Sequence, residues 1–252
     1  MYLYQYRELI KNLVVSDLKA KYANSVLGFA WSMINPLAMF IVYYLIFSNM
    51  FKSEGDYAAY LLVGMVTWRF FSNGTSYAMG SIVGKSSLVT KIFIPRELLT
   101  LSIAISNMIS SLIEFTVLIA LLLLLGTPAH PTILLFPVLQ IMFFLIVYGF
   151  GLVLSSLYVY FRDMAQIWEV VIQAGFFLSP IVYKLSLIPD EYRSLFLLNP
   201  LTVLIGMYRD IFIYGTIPGL WDFAFIAVFG IVMVAIGSLV FKPLSRRFAE
   251  VV

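Results

Sequence analysis

Six runs of about twenty or more apolar residues, at 29–51, 58–82, 98–125, 133–160, 165–183 and 221–241, constrain this chain more than any other feature. A segment of that length with almost no charge satisfies its backbone polar groups in hydrocarbon only as a helix. The expected fold class is therefore an all-α polytopic membrane protein with six transmembrane helices. Composition agrees: 62% of the 252 residues are hydrophobic and 12% are charged, against roughly 25% charge in soluble domains. That balance excludes a soluble globular domain. The absence of cysteine excludes a disulfide scaffold and a cysteine-based metal site.

A seventh apolar stretch, 195–217, is broken at Asn199-Pro200 and again at Arg209-Asp210. Proline removes a backbone donor and an ion pair is costly in lipid, so two short helices near the outer leaflet are expected there. With the N-terminus inside, the cytoplasmic segments hold Arg7, Lys11, Lys19, Lys21, Lys85, Lys91, Arg96, Arg162, Lys242, Arg246 and Arg247. The outer segments hold Lys52, Lys184, Arg193 and Arg209. This asymmetry predicts that both termini face the cytoplasm. Residues 1–28 carry charge throughout and show no signal-peptide pattern, so insertion is expected to rely on the first span. Residues 1–22 place Tyr6, Ile10, Leu13, Val14 and Leu18 on one helical face, as an interfacial helix does. The net charge of +3 is small and dispersed, which gives no nucleic-acid footprint.

Between the second and third runs lies a short basic, amphipathic knob. Lys85, Lys91 and Arg96 hold it at a charged membrane surface, while Leu88, Ile92 and Phe93 form an apolar stripe. Such a knob predicts a soluble partner. The preceding Gly80-Ser81-Ile82-Val83-Gly84-Lys85-Ser86 falls one residue short of a phosphate-binding loop and follows a helix instead of a strand. Its glycines fit a packing stripe better. Ser72, Ser76, Gly80 and Gly84 recur every four residues, as do Ser102, Ser106 and Ser110, which predicts close packing of spans two and three on each other. The lone His130 has no second ligand nearby, so no metal site is expected.

Arg69 and Glu114 are the costliest residues in the membrane. Both lie roughly 17 Å below the outer ends of their spans at 1.5 Å per residue, where pairing relieves the cost of a lone charge. The two readings are an Arg69–Glu114 ion pair, or an Arg69 that faces a wet channel and meets an acidic substrate group. Trp68 and Phe71 also fall near mid-depth, too deep for interface anchors, and ring faces can stack on sugars.

Several blocks together resemble the permease subunits of polysaccharide ABC exporters, in the type-2 ABC exporter superfamily. They are Tyr22-Ala23-Asn24-Ser25-Val26-Leu27-Gly28 with Trp31 and Asn35-Pro36; Trp68-Arg69-Phe70-Phe71-Ser72-Asn73; Lys91-Ile92-Phe93-Ile94-Pro95-Arg96; Tyr160-Phe161-Arg162-Asp163; Ser179-Pro180-Ile181-Val182-Tyr183; and Asn199-Pro200-Leu201. That family exports O-antigen, capsular polysaccharide or teichoic acid on a polyprenyl carrier. The resemblance implies a single transmembrane permease domain over 1–252, with an interface helix at 1–22, a coupling helix at 85–96 and extracytoplasmic gate helices at 187–215. It implies a homodimer in a bacterial inner membrane, joined to two copies of a separate ATPase that binds ATP and Mg, with no cofactor in this chain and no catalysis by it. The implied ATPase contacts are Lys85, Leu88, Lys91, Ile92, Phe93, Pro95 and Arg96. The implied channel, lined by spans one, two and five, would use Trp31, Tyr43, Trp68, Arg69, Phe71, Phe176 and Phe177; a fixed charge at Arg69 is outside the pattern. The competing class is a polytopic enzyme acting on lipid-linked sugars. It requires clustered carboxylates or histidines at one face, whereas the acidic cluster here, Asp190-Glu191, sits beside Arg193 as a solvated helix start.

Overall fold

The computed structural model describes residues 2–22, 30–48, 57–91 and 94–252, and every regular element among them is helical. A single turn, α1 (Tyr2–Gln5), leads into α2 (Arg7–Tyr22), then α3 (Ala30–Phe47), α4 (Tyr57–Met79), and the short α5 (Ser86–Lys91). The chain continues through α6 (Glu97–Leu124), α7 (Phe136–Tyr160), α8 (Met164–Leu178), α9 (Asp190–Leu197), α10 (Pro200–Arg209), α11 (Leu220–Ser245) and α12 (Phe248–Val251). Among the described residues, three helical stretches, α6, α7 with its 3₁₀ lead-in from Pro131, and α11, are long and apolar enough to cross a membrane; α8 and the described part of α3 are shorter apolar helices. The 23 residues of α4 reach about 34 Å at 1.5 Å per residue, but Thr67, Arg69, Ser72, Asn73 and Thr75 dilute its apolar character.

The break at Asn199-Pro200 is local chemistry. Asn199 caps α10 by accepting from the Leu201 amide at 3.0 Å, and Pro200 takes the first helical position, where its missing donor costs nothing. As a result α9 and α10 meet at 94°. A π turn (Asp210–Tyr214) ends at Gly215, whose φ of 64° favours glycine and whose bare Cα leaves room for the ring of His130.

The main core gathers buried faces of α4, α6, α7 and α10, including Phe70, Phe115, Phe143, Tyr208 and Phe212. A polar chain threads it: the Tyr208 hydroxyl donates to Gln140 at 2.8 Å, and the Gln140 amide donates to Ser111 at 2.8 Å. A second cluster sits at the other end of the bundle, where Leu13, Ile82, Val89, Leu99, Leu152, Val159, Phe241 and Phe248 bring α2, α5, α6, α7, α11 and α12 together. We call this the elbow end.

The small-residue stripes behave differently from the sequence expectation. A Cβ on Gly84 would meet nothing within 4 Å and one on Gly80 only a carbonyl at 3.7 Å, so neither glycine marks a close approach of helices. Ser102, Ser106 and Ser110 turn largely toward α2, reaching Asp17, the Val14 carbonyl and the Tyr22 hydroxyl. The helices formed by the second and third apolar runs, α4 and α6, do pack together, through Gly74, where a Cβ would lie 2.7 Å from Asn107. The closest approach of one helix backbone to another is elsewhere: Gly149 on α7 and Gly237 on α11 press backbone against backbone, with added Cβ atoms 2.5 Å from Met233 and 2.6 Å from Gly149 respectively.

Candidate functional site

Three groups of side chains bear on function: an aromatic surface on α3 and α8, an ion-pair cluster in mid-bundle, and the elbow. The aromatic surface begins on α3, where Tyr43 stacks on Phe176 of α8 with ring centres 5.5 Å apart and an angle of 26°. Phe176 meets Trp68 edge-on at 6.0 Å and Phe177 at 5.3 Å. Trp68 then contacts Phe71, which packs against Phe150 and Trp168. Gly175 is required for this ladder, because a Cβ there would stand 2.9 Å from the Trp68 ring.

Burial divides the ladder. Trp68 and Phe71 are 7% and 4% exposed, so their ring faces are used within the chain, whereas Phe177 is 58% exposed. Tyr43 and Phe176 are half-buried. The side chain of Trp31 lies outside the described residues. A signal that the aromatic pattern did not carry appears beside Phe177: Gln166, Glu169 and Gln173 are all exposed on α8, at helical spacing along one edge. Gln173 donates to Glu169 at 3.4 Å. The opposite face of α8 is held to α4 by Trp168, whose indole donates to Thr75 at 3.1 Å. A helix this apolar with a polar, outward edge is built to contact water or a hydrophilic ligand on that edge.

The second group surrounds Arg69. Its Nε lies 3.3 Å from both carboxylate oxygens of Glu114, and an Nη donates to Asn35 at 3.4 Å. The structure thus brings α3, α4 and α6 to one charge pair. Tyr22, at the end of α2, adds a hydrogen bond to Ser110 at 2.9 Å, one turn from Glu114.

At the elbow, Lys85 pairs with Asp17 of α2 at 2.7 Å and donates to Ser102 at 3.3 Å. Arg96 donates to the Ser245 carbonyl at the end of α11. Two of the three cations expected to meet a partner are therefore engaged inside the chain, and Lys91 is exposed. Val89 is 4% exposed within the second core, with Leu88 packed at its margin. Pro95 is half-buried at the turn into α6. Ile92 and Phe93 lie outside the described residues. The outward face of α5 is carried by Ser87, Thr90 and Lys91.

Arg209 is a structural residue that charge counting placed among the outer cations. It is 4% exposed and lies over the Tyr60 ring at 3.3 Å. Its guanidinium donates to the carbonyls of Tyr60, Pro180 and Ile181 at 3.3, 2.8 and 3.1 Å. It staples α10 to α4 and to the segment after α8. Gly64 makes the space, since a Cβ there would stand 2.7 Å from the guanidinium.

Comparison with known proteins is consistent along the chain. The family model described as ABC-2 type transporter matches residues 8–213. An O-antigen export system permease protein RfbA of Myxococcus xanthus is 30% identical, over 98% of this chain and 96% of its own. A protein of the same name from Klebsiella pneumoniae is 28% identical over 97% and 95%. The polysialic acid transport protein KpsM of Escherichia coli is 22% identical over 92% of each chain.

Proposed function

The chain belongs to the ABC-2 type transporter family, and from that premise we propose that it is the membrane permease subunit of an exporter for a polyprenyl-linked, O-antigen-like polysaccharide. The transport step makes and breaks no bond in this chain; ATP is hydrolysed with Mg by a separate subunit. In this reading α3, α4, α6, α7, α8 and α11 are the six spans, within one permease domain. Both termini and the elbow face the cytoplasm of a bacterial inner membrane, and α9 with α10 forms the gate on the far side. Two permeases and two ATPases make the assembly, with α3 and α8 of each permease facing the polymer path.

The observation that carries the reading is the outward edge of α8. Gln173, about 14 Å into α8 at 1.5 Å per residue, would be unstable against lipid tails, and with Glu169 and Gln166 it continues a polar edge in line with Phe177 and beside the Tyr43–Phe176 stack. Amides and a carboxylate exchange hydrogen bonds with sugar hydroxyls, and ring faces accept sugar C–H surfaces without demanding one fixed pose. A polymer can move along such a surface. In this reading Tyr43, Phe176 and Phe177 line the path directly, Trp31 joins them from the start of α3, and Trp68 and Phe71 support the ladder from within. Arg69 serves the bundle through Glu114.

The elbow supplies coupling. Lys91 and its neighbours on α5, continuing through Ile92, Phe93 and Pro95, meet the ATPase, while Lys85 and Arg96 transmit its movement into α2 and α11. The test is purification of the permease with its ATPase, followed by reconstitution and assay of ATP hydrolysis with and without a polyprenyl-linked O-glycan. Stimulated hydrolysis with transfer of glycan across the membrane is expected. A permease that associates with no ATPase, or a complex indifferent to every lipid-linked glycan, would overturn the proposal.

A further inference from the structure

At the elbow end an open cleft of about 520 Å³ lies between α2, α4 and α6, lined by Asp17, Lys21, Ser76, Tyr77, Ser106 and Asn107 among others. Its charges do not balance. Asp17 is neutralised by Lys85 at 2.7 Å, and Glu114 by Arg69 at 3.3 Å. Lys21 is half-buried, and among the described residues no carboxylate lies within salt-bridge distance of it. Its ammonium instead sits over the rings of Tyr77 and Tyr22, at 5.1 and 5.5 Å. Burial lowers the pKa of Lys21 below the usual lysine value, against the upward pull of Glu114. An anion in the cleft would relieve that cost.

Depth identifies the anion. Ser76 and Tyr77 stand within a turn of the end of α4 at Met79, and Ser106 is nine residues into α6 from Glu97, about 14 Å at 1.5 Å per residue. The cleft therefore spans the headgroup and upper acyl region of the leaflet at the elbow end. A cation flanked by tyrosines and hydroxyls at that depth, in a pocket between helices, is the chemistry that holds a lipid phosphate. We propose that the Lys21 cleft binds the phosphate headgroup of a lipid from that leaflet, with the Lys21 ammonium on the phosphate and the Ser76 and Tyr77 hydroxyls beside it. The inference stands on the cleft itself, and one arm of its test also bears on the export reading.

The test is native mass spectrometry of the full-length chain incubated with phosphatidylglycerol, phosphatidylethanolamine or a polyprenyl phosphate. The comparison runs across wild type, Lys21→Gln, Lys21→Arg, Ser76→Leu, and Lys19→Gln on the exposed face of the same helix. Wild type, Lys21→Arg and Lys19→Gln should retain phosphatidylglycerol over phosphatidylethanolamine. Lys21→Gln should lose about fivefold in retention, the equivalent of roughly 1 kcal/mol for one basic residue at a lipid surface. Ser76→Leu should lower retention by filling the cleft with the charge unchanged. Displacement of phosphatidylglycerol by the polyprenyl phosphate would assign the site to the carrier lipid, and failure to displace would assign it to bulk anionic lipid; both keep a phosphate in the cleft. Retention by Lys21→Gln equal to wild type, or an equal loss in Lys19→Gln, would overturn the proposal.

Discussion

Neutralising Glu114 should damage the bundle more than neutralising its partner, and removing both should repair much of the loss. Glu114 is the shared anion of two cations. Arg69 touches it at 3.3 Å, while Lys21 feels it from beyond pairing distance. Side-chain exposure is 23% for Arg69 and 8% for Glu114, so the pair is neither wet nor fully dry. At 3.3 Å and an effective dielectric near 20, the gross attraction is about 5 kcal/mol, most of which offsets desolvation. Breaking a buried pair costs about 3–5 kcal/mol, and the partial exposure of Arg69 moves Glu114→Gln to roughly 3. Arg69→Met leaves a carboxylate that Lys21 still faces and that can take up a proton, at roughly 2 kcal/mol. The double variant carries neither charge and should cost roughly 1–2 kcal/mol, which sets the coupling at about 3–4 kcal/mol. Unfolding by SDS in mixed micelles, followed by far-ultraviolet circular dichroism, measures all four corners of the cycle. Additive single losses, with coupling below about 0.5 kcal/mol, would refute the pairing and return Arg69 to the substrate path. The order of the two singles tests Lys21 separately: equal losses would remove it from the cluster.

Gly149→Ala should lower the melting temperature through overpacking of α7 on α11, about 1–3 kcal/mol, while Gly84→Ala should leave it unchanged because its Cβ meets open space. Arg209→Met should cost about 3 kcal/mol by removing charge-assisted donors from three carbonyls. Hydrogen exchange across 179–183 should then rise, and Arg209→Lys should rescue little, since one ammonium cannot reproduce the guanidinium fork. Gln166→Leu with Gln173→Leu should cut polysaccharide export in reconstituted vesicles while ATPase association persists; unchanged export would remove the α8 edge from the polymer path. Lys91→Glu should weaken co-purification of the ATPase, whereas Lys85→Met should spare it and raise hydrogen exchange in α2.

Much of the helix layout was legible because it depends on one-dimensional patterns. Runs of apolar residues placed helix ends within a few positions, and Asn199-Pro200 marked the α9–α10 corner because a cap and a first-position proline act on their own backbone. Arg69 and Glu114 could be brought together by depth alone, since two costly charges at one level of a hairpin have few other partners. Partners distant in sequence were not legible. Nothing local links Asp17 to Lys85, 68 residues on, and small-residue spacing shows that a helix can be approached without naming its neighbour. The spacing of Ser102, Ser106 and Ser110 therefore fits α4 and α2 equally, and they largely face α2. Arg209 was hidden for another reason: its acceptors are backbone carbonyls, which leave no mark in side-chain sequence.

The same contacts constrain how the elbow can act. Lys85 ties α5 to α2 and α6, Arg96 ties the turn to α11, and the Tyr160 hydroxyl donates to the Leu244 carbonyl at 2.9 Å. Val89, Phe241 and Phe248 fill the space between them. A push on α5 is therefore delivered to α2, α6, α7 and α11 together, since packed apolar clusters shift as units and resist continuous deformation. Among the described residues, two apolar helices pack little against the bundle: α3, which carries Pro36 and so lacks one internal hydrogen bond, and α8, where Trp168 is the buried anchor. Relative movement is cheapest where contacts are fewest. The Tyr43–Phe176–Trp68 ladder joins them to each other and to α4, beside the Asn35–Arg69 and Trp168–Thr75 hydrogen bonds. Each ring pair contributes only about 0.5–1.5 kcal/mol, so in the proposed exporter the surface that would meet the polymer is also a joint along which α3 and α8 can shift against α4.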